Sequence, residues 1–146
     1  MAVQNRAESP ERLPSAVRRL EAATNARDVL AIVGCFAEDY ANLTPAHPAR
    51  GFVGRDQVQR NWSQILVAVP NLVATVTDWA RRDDDVWTEW LMRGTRRHGS
   101  AHEMYGMIIF TVREEQIVRA RFHLEPVESG GPDVESAVRL QLGAPS

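Results

Sequence analysis

Apolar positions recur with one period in the first half of the chain and another in the second. Leu13, Val17 and Leu20 fall at three- and four-residue intervals, the spacing that stacks side chains on one face of a helix, with Ser15 as its candidate cap. The stretch ARDVLAIVGCF places Val29, Ile32, Val33 and Phe36 on one side and predicts a second helix. A loop rich in Pro and Gly, TPAHPARGFVGR, precedes a third, DQVQRNWSQILVAV, whose Val58, Trp62, Ile65 and Leu66 share a face. Pro70 ends it, because proline has no N–H to give and its ring collides with the preceding turn.

After Asn71 the period becomes two. LVATVTDWA runs into the turn RRDDD, VWTEWLMRGTR and AHEMYGMIIFTV flank RHGS, and QIVRARFHLEPV follows REE. These are strand and hairpin signals. Three helices followed by an antiparallel meander predict an α+β fold with the helices packed on one sheet face. Residues 1–12 are expected as a flexible leader, 13–127 as one domain, and 128–146 as a flexible tail in which DVESAVRLQL can form a short helix.

Alternation assigns faces. On the last strand Val118, Ala120, Phe122 and Leu124 share one side, and Arg119, Arg121, His123 and Glu125 the other. Helices need an apolar sheet face to cover, and burying four unpaired polar groups would cost several kcal/mol. The apolar row is therefore expected inward. Likewise Thr88, Trp90 and Met92 are expected inward and Glu89 and Arg93 outward, with Glu89 and Arg121 as a cross-strand ion pair.

Composition narrows the classes. The net charge is −2 with 25% charged residues and no lysine, so the cations are arginines without a nucleic-acid footprint. No apolar run approaches the roughly 18 residues that span a bilayer, and a cytoplasmic protein is expected. Cys35 is single, which excludes an intrachain disulfide, and it lies in an apolar run as a small buried hydrophobe. The four histidines lack metal-ligand spacing and the DDD at 83–85 reads as a solvated turn, so neither metal nor cofactor is expected.

The segments RDVLAIVGCFAEDYANLTP, GFVGRDQVQRNW and IVRARFHLEP give the chain a resemblance to the nuclear transport factor 2-like superfamily, and within it to the SnoaL-like, polyketide cyclase-like domains. The resemblance implies a cone-shaped curved antiparallel sheet wrapped on about three N-terminal helices, a deep pocket, and frequent homodimers. It also implies that His102, Met104, Gly106 and Ile108 face the pocket. The superfamily includes isomerases, hydrolases, cyclases and plain binding proteins, so fold alone does not give activity. Ketosteroid isomerases would need an acid at Thr44, a tyrosine at Leu20 and an oxyanion-binding acid near Gly106; none is present. Limonene epoxide hydrolase would need Arg and Asp at Trp90 and Met92 and a second Asp near Phe122; these too are missing. An acid projecting from the late strands, as in the cyclases, is lacking from the inward row of the last strand.

What remains is a set of polar candidates around an apolar site. Tyr40 and Asn42 share a parity in the strand after helix two, His47 and Arg50 sit in the PAHPARG loop, and His102 opens a strand. A histidine titrating near neutrality can take or give a proton while Tyr40 or Asn42 binds a carbonyl oxygen. Trp62, Trp90, Met92, Met104 and Phe122, with Arg50, are the candidate ligand-binding residues. The expected function is binding a small hydrophobic molecule of polyketide, terpenoid or aromatic type, with cofactor-independent acid–base chemistry as its enzymatic form. The alternative is a non-catalytic dimerisation or accessory domain that meets a protein partner through its outer sheet face.

Overall fold

The computed structural model describes residues 12–143, so the expected leader lies outside the described residues except for residue 12. The chain begins with α1 (Ser15–Ala26) and α2 (Val29–Gly34), followed by β1 (Phe36–Leu43), a 3-10 turn (Pro48–Arg50), β2 (Phe52–Val53) and α3 (Arg55–Ala68). Then come β3 (Val73–Arg82), β4 (Asp85–Thr95), β5 (Ala101–Arg113), β6 (Gln116–Pro126) and α4 (Val134–Gln141), the last burying none of its residues. The six strands form one unclosed sheet in the order β2-β1-β6-β5-β4-β3. The architecture is α+β as expected, with a mixed sheet: β3 to β6 form the antiparallel meander, whereas β1 joins β6 in parallel. A parallel partner needs a long crossover, and α3 with the whole meander supplies it.

Local chemistry sets the element ends. Asp28 caps α2 by accepting from the Ala31 N–H, and α2 stops at Gly34, so Phe36 opens β1 instead of closing a helix. Ser15 is not a cap: Pro14 holds that position without a side-chain bond, and the Ser15 hydroxyl instead donates to Glu115 at 3.4 Å. The REE turn has Glu114 and Glu115 at φ of 50° and 62°, the left-handed pair that matches strand twist in a tight hairpin.

The helices cover the sheet's inner face and, at β3, its edge. Asn25 of α1 donates to the Ala74 carbonyl and accepts from the Ala74 N–H, both at 2.8 Å, and Glu21 accepts from the Val76 N–H at 2.7 Å. Edge backbone groups that would otherwise be open to another strand are thus occupied. The core joins Val17 and Leu20 of α1, Ile32 of α2 and Val58 of α3 to Val86, Trp90, Ile108, Phe110 and Ala120 of the sheet. Trp90 meets Phe110 edge-on at 6.3 Å, and its indole N–H donates to Thr88 at 2.7 Å. Cys35 is buried, which pushes its thiol pKa up and keeps it protonated.

Thr88, Trp90 and Met92 point inward as the alternation requires. Two assignments change. A bulge between Thr111 and Val112 pairs Val112 with Ile117, so Ile117 and not Val118 enters the core. An extra residue in one strand shifts every side chain beyond it by one face. The Glu89–Arg121 pair does not form. Glu89 lies level with Met107 and His123, whereas Arg121 is level with Ile109 and Trp87. Glu89 accepts from the Tyr105 hydroxyl, and Arg121 sits 3.7 Å from Asp85 with its guanidinium over the Trp87 ring.

Candidate functional site

Between α3 and the inner sheet face lies a cavity of about 420 Å³, within the size range of small-molecule sites. One wall is the apolar stripe of α3, Val58, Trp62 and Ile65, with Asn61 on the same face. The opposite wall comes from alternate residues of four strands: Phe36, Tyr40 and Asn42 of β1, Met92 of β4, His102 and Met104 of β5, and Phe122 and Leu124 of β6. Thr44, Arg50, Phe52 and Leu72 complete it. Phe36, Tyr40 and Phe52 form an aromatic group, with ring centroids 4.6 and 6.1 Å apart in successive pairs.

Glycines shape the sheet side of the site. Gly106 has φ +151°, and a Cβ there would fall 2.1 Å from the His123 carbonyl oxygen, so the β5–β6 approach excludes any side chain. Gly94, the partner of His102 across β4 and β5, lets Val69 and Leu72 close over the strand; a Cβ would meet Val69 at 2.3 Å.

Few polar groups reach this cavity. The Tyr40 hydroxyl donates to Asn42 Oδ1 at 2.7 Å in a buried pair. Burial raises the Tyr40 pKa, so the phenol stays protonated. Asn42 keeps its amide N–H groups without a protein partner among the described residues, on the cavity wall. His102 has its pKa lowered, first by burial and then by the charge of Arg96, and is neutral at neutral pH. Such an imidazole offers one donor and one acceptor. Among the described residues no Asp or Glu lines the cavity.

Of the residues singled out from sequence, Tyr40, Asn42, Trp62, Met92, Met104, Phe122, Arg50 and His102 all lie on this wall. Trp90 lies beneath it, 1% exposed in the core. His47 is turned to Glu125, 3.0 Å away, and ties down the loop that carries Arg50. The Tyr40–Asn42 pair and His102 line the same cavity, the pair from β1 and His102 from the first residues of β5.

The SnoaL-like domain model matches residues 17–120. The chain belongs to the SnoaL-like domain family. No curated protein matches it. Among solved structures, a Catenulispora acidiphila protein with a ketosteroid isomerase-like fold, in complex with trimethylamine, is 23% identical over 92% of this chain and 96% of that one, with TM-score 0.64. A loop-truncation variant of IdmH is 25% identical over 77% and 92%, with TM-score 0.65. A Mycobacterium tuberculosis protein in complex with estradiol-17β-hemisuccinate is 15% identical over 82% and 96%, with TM-score 0.64. Nuclear transport factor 2-like and cystatin-like folds occur among the other neighbours.

For this SnoaL-like chain, several wall residues had not been singled out as site residues: Phe36, Phe52, Leu72 and Asn61. Asn61 had a signal in the sequence, a polar residue three positions after Val58 within an apolar helical stripe. Phe52 had none, since its two-residue strand is defined only by pairing with Ala41 and Asn42.

Proposed function

We propose that this SnoaL-like protein binds a small hydrophobic molecule of polyketide, terpenoid or aromatic type in the cavity under α3. The observation that carries the reading is the wall itself: aromatic and aliphatic side chains over most of its area, with unpartnered polar groups only at a few points. That composition suits a ligand held by apolar burial and oriented by a few hydrogen bonds. Structural neighbours with estradiol-17β-hemisuccinate and trimethylamine bound support a ligand-holding role for this fold. A thermal-shift screen with hydrophobic ketones, epoxides, polyketide mimics and aryl acids tests it, because a ligand of the folded state raises the melting temperature by mass action. A hit lost on cavity filling, as in Met104→Trp, is the expected result; no shift from a broad panel would overturn the reading.

In its catalytic form the function is proton transfer by His102, the wall residue that is neutral and can accept a proton near pH 7. Tyr40 and Asn42, on the same cavity wall, then bind a ligand oxygen. His102→Ala should abolish turnover of a screened ligand while leaving its binding within a few-fold.

The outer sheet face supports a homodimer. Trp87, Tyr105 and Met107 are 39%, 45% and 38% exposed there, an apolar surface of the kind that pairs with a second copy. Sedimentation of wild type against Trp87→Glu checks this, with a dimer and a monomer as the expected species.

A further inference from the structure

We infer that the molecule held in the cavity carries an organic carboxylate that pairs with Arg50, an inference that rests on the pocket reading above. Arg50 is the only Asp, Glu or Arg side chain among the described residues of the wall. It also has no hydrogen-bond or ion-pair partner among the described residues, unlike Arg93, Arg113 and Arg121, which meet Glu103, Asp84 and Asp85. Glu125, the carboxylate that meets this loop, is engaged by His47 at 3.0 Å.

The surroundings point the same way. Arg96, whose charge reaches His102, bonds only neutral acceptors, the Ser100 hydroxyl and the Ala101 carbonyl. The Asn42 amide adds N–H donors with no protein partner among the described residues. The protein carries a net charge of −2, yet the one charged side chain on this cavity wall among the described residues is a cation. A planar guanidinium matches a carboxylate with two parallel hydrogen bonds, and the aromatic walls take the rest of the molecule. The loop fixes Arg50 at the wall: the Arg50 N–H donates to the His47 carbonyl at 2.9 Å, and the Gly51 N–H to the Pro48 carbonyl at 3.1 Å.

The probes are phenylhexanoic, phenyloctanoic and naphthylhexanoic acids, each compared with its primary amide by calorimetric titration of the full chain. The wild type is expected to prefer acid over amide by about tenfold, equivalent to ~1.4 kcal/mol, with the preference shrinking as salt is added. Arg50→Gln should erase the preference by weakening the acids alone, and Arg50→Lys should restore part of it. Thermal unfolding of the variants controls for folding. Equal affinity for acids and amides, or a preference that survives Arg50→Gln, overturns the inference and leaves the pocket reading standing. If neither acids nor amides bind, the pocket reading falls and the inference with it.

Discussion

Trp87 and Trp90 are three residues apart on β4 and occupy different worlds. Trp90 is 1% exposed, bonded to Thr88 and packed edge-on against Phe110; Trp87 is 39% exposed under the Arg121 guanidinium. The same contrast holds across the whole sheet. The inner face is apolar, closed by helices and hollowed into a cavity, whereas the outer face mixes half-exposed apolar side chains such as Trp87, Tyr105 and Met107 with ion pairs such as Arg93–Glu103 at 2.8 Å. Inner groups are fixed by packing density, which tolerates little change in volume. Outer pairs are screened and individually worth little. Stability is therefore concentrated on one face, while polar identity on the cavity wall is left free for recognition.

The sharpest way to break this comparison is to remove each tryptophan. Trp90→Ala should cost ~3–5 kcal/mol in urea unfolding, and Trp87→Ala less than about 1 kcal/mol. Similar losses would mean that the two faces contribute alike. Next in size is Gly106→Ala, where a Cβ meets the His123 carbonyl oxygen and the left-handed φ adds strain; roughly 3 kcal/mol is expected. Tyr40→Phe leaves Asn42 Oδ1 without its donor and should cost about 1 kcal/mol, with ligand orientation altered as well.

The smallest effect is a pH dependence. Because the folded-state pKa of His102 lies below its ordinary value, the unfolded chain takes up the proton first as pH falls. Its contribution to stability is present at and above neutral pH and is lost as pH drops through the ordinary histidine pKa of about 6.5 toward the folded value. A melting-temperature series from neutral to mildly acidic buffer should show a shallower decline in His102→Gln than in the wild type.

Much of this contrast was legible in the sequence. Three helical stripes and a meander read straight off the period, and the parity of Thr88, Trp90 and Met92 gave the inner face of β4, because strand periodicity is enforced wherever one face is buried. What the pattern could not carry was non-local. The bulge that exchanges Val118 for Ile117 and the parallel pairing of β1 with β6 are decided by contacts between distant segments. For the same reason the partner of Arg121 was misread as Glu89: register, not residue type, chooses cross-strand neighbours. The site shows both sides. Tyr40, Asn42 and Phe122 follow from strand parity and Met104 from the family resemblance, but Phe52 joins the wall only through its pairing with β1.

The most direct test of the account is to titrate anilinonaphthalene sulfonate, an apolar fluorescent anion, into the wild type, the cavity-filled Met104→Trp and the outer-face Trp87→Ser. Saturable binding that is lost in Met104→Trp and unchanged in Trp87→Ser is the expected result. Binding that survives cavity filling and disappears with Trp87→Ser would contradict it and move recognition to the outer face.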